Sequence, residues 1–400
     1  MKLVLKGIAE CLDVVKKDIK ELIHKDSYSE ESLIFIDDCS IEEASILAYR
    51  CQSIYALGIV VSKQDISSSA SDTKHEEAVF ATMQKGSKKD ATKIIHQGSS
   101  FKIQTIKCVQ EKETCTTTYN AAIGSAVSDF AQKNNMELCV DLDKPDLVFT
   151  YFVQKEQSIL CLDLIGDSLH KRPYKIFSQS NSLNSVLAYC FAKLSGAKQG
   201  DTFVDCCCGS GIIPIEVAQQ NTKTSSFVYE QKFMGLRYPL SKEAFENTQK
   251  EIKNRLPAKK ESQEKIFGFD YNFTNITNAK KNAKLAGIHE VVSFSKVALD
   301  WIDAKFDKGE VDVLAGNLPK LSQRTKNEKD IKKFLDELFY QARFIVKPKG
   351  FVSVLFNNKK LLEDAGSRHG FTVIEERIIR QGEQEYLFMK FSCPQEPSEE

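Results

Sequence analysis

The chain has 400 residues, 42% of them hydrophobic and 10% aromatic, enough for a sizeable core and a length that suits two or three domains. It carries 55 basic against 55 acidic residues, which excludes action through overall positive charge; any contact with a polyanion has to come from local patches. The N-terminus meets acid early, at Glu10 and Asp13, with no apolar h-region, and no apolar run approaches the roughly 18 residues that span a bilayer, so an intracellular, cytoplasmic protein with no membrane partner is expected.

In chain order, "LVL" near the start reads as a strand. Ile8, Leu12, Val15, Ile19 and Leu22 then recur at alternating steps of four and three, one face of a helix. "SLIFID" reads as a second strand and "IEEASILAYRCQSIYALG" as a second helix, closing a small α+β unit near Val61. The polar, serine-rich stretch "KQDISSSASDTKHEE" reads as a surface loop or linker. "SSFKIQTIKC" reads as a strand and Tyr119 to Asn134 as a helix. The segment from Met136 to Gly166 gives a strand, a turn at Lys144-Pro145, and two more strands.

From about Asn184 the pattern changes. "DTFVDC", "EKIFGFD", "VVSFSK", "VDVLAGN" and "GFVSVLF" alternate with helical stretches, which predicts a parallel sheet with crossover helices. "GFTVIEERII" and "QEYLFMKF" follow each other without a helix and predict an antiparallel hairpin, for seven strands in all.

The first of these strands runs into "VDCCCGSG", Val204 to Gly211, and then the helix "IIPIEVAQQ". Gly209 and Gly211 allow a tight turn and close approach of a ligand to the backbone, beside the free N–H groups of a helix start. The next strand ends in Asp270, which either accepts hydrogen bonds from ribose hydroxyls or caps the helix that starts near Asn272. The twelve cysteines form no CxxC pair, so no metal site is expected and most should fill the core as small apolar groups.

The stretch from Ser182 to Glu216, followed by "GFDYNFTNITNAKKNAKLAGI", resembles the S-adenosylmethionine-dependent methyltransferases that modify exocyclic amines of RNA. Their loop reads D-P-x-C-G-S-G and then I-E; Cys208, Gly209, Ser210, Gly211, Ile215 and Glu216 match, while Cys206 stands in place of the proline. The cysteine triplet, Cys207 included, is then a variant of a cofactor loop whose backbone matters more than its sulfur. The resemblance implies that Asp205 and the Gly209–Gly211 turn hold the methionine part of S-adenosylmethionine, Asp270 the ribose, and Tyr271 the adenine face. Asp300 falls near the place of an acid beside the adenine amine, although its spacing from Phe294 departs from the family pattern and an exposed Asp opening a turn fits equally well. Trp301, the only tryptophan, is read as packing.

Upstream, Val140, Leu142, Pro145, Asp146, Asp163, Leu164, Gly166, Leu169, Arg172 and Tyr174 resemble the end of a THUMP RNA-binding domain, and residues 6–22 the ferredoxin-like unit that precedes it in these enzymes. The stretch from Phe227 to Leu256 resembles an insert of the guanine-N2 branch. The family's [DNS]-P-P-[YF] motif corresponds to Asn317-Leu318-Pro319-Lys320. By resemblance, the Asn317 oxygen and a backbone carbonyl beside Pro319 orient the target amine. Lys320 replaces the aromatic that stacks on the base; either it contacts a phosphate, or Phe233, Tyr238 or another aromatic supplies the stack, or catalysis has decayed. Lys320, Arg324 and Lys326 in the run after the motif, and Arg172 in "KRPYK", are candidate RNA contacts, against the plain reading of solvated charge.

The expectation is therefore an α/β protein: a ferredoxin-like domain at 1–64, a THUMP domain at 75–174, and a Rossmann-like seven-stranded methyltransferase domain at 180–393. The expected activity is methylation of guanine N2 in RNA, tRNA first and ribosomal RNA second, with S-adenosylmethionine as donor. The alternative is a decayed RNA-binding protein that keeps the fold.

Overall fold

The computed structural model describes residues 1–85, 98–108, 116–179, 182–229, 232–255, 265–319, 328–382 and 384–394. The chain forms two units, Met1–Leu169 with Tyr229–Glu251, and His170–Val228 with the described residues from Ile252 onward. Among the described residues no helix is long and apolar enough to cross a membrane.

The first unit runs β1 (Leu3–Gly7), α1 (Leu12–Ile23), β2 (Tyr28–Glu30), β3 (Leu33–Ile36), α2 (Ile41–Arg50), β4 (Ile54–Gln64), α3 (Asp72–Lys85), β5 (Ser100–Lys107), α4 (Thr116–Lys133), β6 (Cys139–Val140), β7 (Leu147–Val153) and β8 (Ser158–Asp163). One sheet holds all eight strands in the order β2-β3-β1-β4-β8-β7-β5-β6. Residues before and after the serine-rich stretch thus share a sheet, because β4 pairs antiparallel with β8. At Gly58 an added Cβ would lie 2.5 Å from Cys161 Sγ, which accounts for glycine there.

Two elements depart from the sequence reading. The helix expected through "IYALG" stops at Arg50, and that apolar run is the start of β4. A run buried on both faces looks the same in a strand and in a buried helix, so periodicity does not separate them. The expected serine-rich loop holds the start of α3, anchored by His75, Val79 and Met83. Its buried His75 bonds the Tyr151 hydroxyl through Nδ1 at 2.8 Å, so a polar-looking segment has an inward face. Residues 229–251 also belong to this unit. Tyr238 donates to the Asp163 carbonyl at 2.8 Å and accepts from the Val148 amide at 3.1 Å, and Phe233 packs on Tyr49.

The second unit contains α5 (Ser185–Ser195), β9 (Thr202–Asp205), α6 (Ile212–Asn221), the end of α7 (Lys242–Asn254), β10 (Lys265–Asp270), α8 (Phe273–Leu285), β11 (Val292–Lys296), β12 (Val311–Asn317), α9 (Glu328–Ile345), β13 (Val346–Phe356), α10 (Lys359–Arg368), β14 (Thr372–Gln381) and β15 (Gln384–Ser392). The strand order is β11-β10-β9-β12-β13-β15-β14. The first five strands are parallel, and β15 runs antiparallel to both β13 and β14. This is the Rossmann-like sheet with a terminal hairpin that the sequence predicts. The amphipathic helix α9 buries Ile331, Leu335, Leu338, Phe339, Ala342 and Ile345 in the core of the unit. The chain leaves β9 towards β10 on one side and returns to β12 on the other. That reversal opens a crevice beyond the carboxyl ends of the strands.

A buried ion pair fastens the start of this unit. Arg172 Nε donates to Glu216 Oε1 at 3.0 Å with both side chains fully buried, and the Tyr174 hydroxyl donates to the same oxygen at 2.8 Å. The guanidinium also lies over the Phe227 ring. Removing one partner strands a buried charge. Glu216→Ala should therefore cost about 3–5 kcal/mol in urea unfolding, and adding Arg172→Met should recover much of that loss. Equal stability of Glu216→Ala and wild type would rule the pair out as a structural anchor.

Candidate active site

β9 ends at Asp205, and the three cysteines carry the backbone across the crevice. The Cys206 amide donates to the Ala315 carbonyl at the end of β12 at 3.0 Å. Two residues on, the Cys208 amide donates to the Phe269 carbonyl of β10 at 2.9 Å. The triplet thus ties both neighbours of β9 together. Cys206 and Cys208 are buried, and their thiols are pushed well up: Cys206 first by its hydrogen bond with Cys207 and then by burial, Cys208 by burial. They pack as small apolar groups.

Gly209 and Gly211 both have positive φ, +51° and +84°. A Cβ on Gly211 would meet Ala279 Cβ at 2.8 Å and Phe294 Cζ at 2.9 Å, so close packing requires glycine there. A Cβ on Gly209 would meet nothing nearer than Gln179 Oε1 at 4.0 Å, so this turn faces open space. The Gly209 amide donates to Asp270 Oδ2 at 3.1 Å and the Asn272 amide to Asp270 Oδ1 at 2.8 Å. The cap of α8 is Asn272, whose side chain accepts from the Thr274 amide at 2.9 Å. Asp270 therefore orders the glycine turn rather than capping the helix, and each of its oxygens has accepted only one of these bonds.

Asp205 is fully buried. Its Oδ1 accepts from the Cys207 amide at 3.0 Å, while Oδ2 has no partner among the described residues. Burial, with the Asp270 charge adding to it, pushes the Asp205 carboxyl up to about 8. A buried carboxyl oxygen with no partner among the described residues, beside an open glycine turn, suits a ligand bearing a cationic group: an ammonium set there, such as that of S-adenosylmethionine, would favour loss of the Asp205 proton and pair the resulting carboxylate. The residues present fit that cofactor.

On the other side of the crevice, Ala315 pairs with Asp205, and the two-residue strand period puts Asn317 on the same face. Asn317 is half-buried, and its side chain has no partner among the described residues. Leu318 is buried in the core, and its amide donates to the Leu355 carbonyl at 2.9 Å. Pro319 follows, half-buried.

Several expected site residues are placed differently. Arg172 is consumed by its ion pair with Glu216 and presents no charge to RNA. Lys175 of the same patch is partly buried and donates to the Leu183 carbonyl. Phe233 and Tyr238 are buried in the first unit and offer no face to a base. Lys320, Arg324 and Lys326 lie outside the described residues. Asp300 and Tyr271 are exposed; so is Trp301, at 64%, which therefore does not pack as expected. One residue escaped the sequence reading. Asn282, buried on the core face of α8, donates to the carbonyls of Ser210 and Phe177, both at 3.0 Å, and accepts from the Phe177 amide. An asparagine among the apolar positions of a helix was the available signal.

The Asp205 environment sets a pH dependence. The raised folded-state value means that the native protein holds a proton that the unfolded chain loses near pH ~4. Stability should therefore fall as pH rises between about 4 and about 8 and level off above that. Asp205→Asn should flatten the fall in urea unfolding series run across that window; an unchanged slope would show Asp205 to be ionised throughout.

Three relatives place this geometry among known proteins. The chain is 26% identical over 337 residues to the tRNA (guanine(6)-N2)-methyltransferase of Methanocaldococcus jannaschii, covering 84% of each chain. The crystal structure of SMU.472 complexed with SAH (S-adenosylhomocysteine) matches with a TM-score of 0.79 at 20% identity, over 99% of both chains. TrmN from Thermus thermophilus matches with a TM-score of 0.70 at 16% identity, over 98% of this chain and 99% of the other. The two structural likenesses establish the fold. Residues 172–386, which hold Asp205, the glycine turn, Asp270 and Asn317, match the RMKL-like methyltransferase domain, and the chain belongs to that family of methyltransferases.

Proposed function

We propose that this methyltransferase transfers a methyl group from S-adenosylmethionine to the exocyclic N2 of a guanine in RNA, with tRNA the first substrate class and ribosomal RNA the second. The observation that carries the reading is that Asp205 and Asn317 lie on one face of the sheet at the ends of neighbouring strands, Asp205 with an Oδ2 that has no partner among the described residues. The first suits a cationic donor; the second suits an amine that must be held beside it. The archaeal relative named as a tRNA guanine-N2-methyltransferase supports the choice of amine and of RNA.

S-adenosylmethionine brings an already electrophilic methyl group, so the chain needs no strong base and acts by positioning. The Asp205 carboxylate and the Gly209–Gly211 turn hold the donor's amino-acid part, with Cys207 in the same loop and the Asp270 carboxylate at the ribose. The Asn317 oxygen accepts an N–H of the target amine and turns its lone pair towards the methyl. Asn317 stands on a strand end fixed by the Leu318–Leu355 hydrogen bond, which suits a positioning role. The N-terminal residues, read as a ferredoxin-like domain at 1–64 and a THUMP domain at 75–174, would hold the RNA, and Lys320, Arg324 and Lys326 would meet its phosphates.

The direct test is transfer of labelled methyl to total RNA, followed by nucleoside mass spectrometry, with N2-methylguanosine as the expected product. Label appearing only in another nucleoside would refute the guanine assignment, and no label in any RNA would favour the decayed alternative. Asn317→Ala should lower kcat about a hundredfold or more while leaving donor and RNA binding intact, because its contact tightens as the nitrogen approaches the methyl. Transfer at the wild-type rate by this variant would place the catalytic amide elsewhere.

A further inference from the structure

β14 closes one edge of the second sheet. Among the described residues β15 is its only strand neighbour, so its other side carries a row of backbone amides and carbonyls open to a further strand. At ten residues it is the longest edge strand among the described residues; β11, β2 and β6 have five, three and two. Proteins commonly blunt such an edge with lysines, proline or a bulge. β14 contains no lysine and no proline, and its register with β15 shifts only between Val373 and Glu375. The regular stretch, Glu375–Gln381, is therefore fit to pair.

The side chains along that stretch select what pairs with it. Glu376, Ile378 and Arg380 share one face, opposite Met389, Leu387 and Glu385 of β15. Lys359 of α10 holds Glu376, and Arg380 pairs with Glu385 at 3.4 Å. Between the two charges Ile378 is left 46% exposed. A second copy of β14 laid antiparallel, with the two-fold axis at Ile378, sets each isoleucine against its counterpart. It also sets Glu376 of either copy against Arg380 of the other. Residues directly opposite share a face, so the apolar side chains cover each other and both charge pairs match. The charges then alternate in sign across the joint, from Lys359 and Glu376 of one copy to Arg380 and Glu385 of the other. In-register parallel pairing would instead oppose like charges at both positions, and a partner strand of a single sign would match only one of them. We propose that this edge is a self-association surface, through which two copies of the chain join antiparallel along Glu375–Gln381 into one continuous sheet. β14 runs parallel to β13, since β15 is antiparallel to both, so the crevices at the carboxyl ends of the two joined sheets open in opposite directions. A joint of one strand pair is small, and a dissociation constant of about 10 μM is expected.

Sedimentation velocity of the full-length protein, run from about 1 to about 200 μM, should show monomer passing into dimer. Glu376→Arg alone and Arg380→Glu alone should each weaken dimerisation about tenfold or more, because each sets like charges against one another at both pairs. An equimolar mixture of the two variants should associate again, as a dimer holding one copy of each, since the arginines of one then face the glutamates of the other. Thermal midpoints of both variants should stay within about 3 °C of the wild type, because exposed ion pairs contribute little to stability. A wild type that stays monomeric at about 200 μM would overturn the proposal. So would a dimer that neither variant weakens, which would place the joint on another face, or a mixture that associates no more strongly than its separate components.

Discussion

The second unit depends on how the backbone leaves β9. At that strand the order of the sheet reverses, so its two neighbours, β10 and β12, diverge beyond their last residues. Seven residues, Asp205 to Gly211, have to bridge that divergence, satisfy their own amides and still leave room for a ligand. They do so by bonding alternately to the two sides: Cys206 to Ala315 of β12, Cys208 to Phe269 of β10, and Gly209 to the Asp270 side chain. The open turn at Gly209 and the Asp205 Oδ2, which has no partner among the described residues, are left facing the crevice.

Support for the crossing comes from groups that never face the crevice. Asn282 of α8 holds the Ser210 carbonyl, and Gly211 fits against Ala279 and Phe294 with no room for a side chain. The helix that the loop enters, α6, carries Glu216, whose carboxylate is held by Arg172 and Tyr174. The carboxylate that anchors α6 is thus five residues from the end of the glycine turn. A buried charge pair at that spot fixes the direction of the helix that follows the turn.

Much of this was legible. The seven strands and their closing hairpin could be read because short apolar runs alternated with amphipathic helices. The loop could be read because its glycines stand at positive φ, a conformation glycine adopts without cost. Other features were hidden for identifiable reasons. α3 hides because its inward face includes a histidine that satisfies its Nδ1 on Tyr151, so composition alone suggests a polar loop. β4 hides because a strand covered on both faces has no alternation. Arg172 misleads because a cation in a basic-looking pentapeptide reads as surface charge, and only the fold brings Glu216 to it from 44 positions away. Trp301 misleads in the opposite sense, since the largest apolar side chain is presumed to be inside until its turn is seen to project it outward.

The departures from the family motifs can be weighed by what replaces them. Cys206 and Leu318 each stand where the motif has proline, a residue that fixes φ and brings no N–H. Exchanging it restores a backbone donor at a buried position, and such a donor has to be paired. Both are. Cys206 bonds to Ala315 at 3.0 Å and Leu318 to Leu355 at 2.9 Å, and each bond prolongs the ladder between neighbouring parallel strands by one step. Rigidity that proline would supply through its ring is supplied here by the sheet, under the loop and under Asn317 alike. These two exchanges therefore preserve the support of the site and give no ground for reading it as decayed. Lys320 is different in kind, because a lysine has no flat face with which to replace a stacking ring.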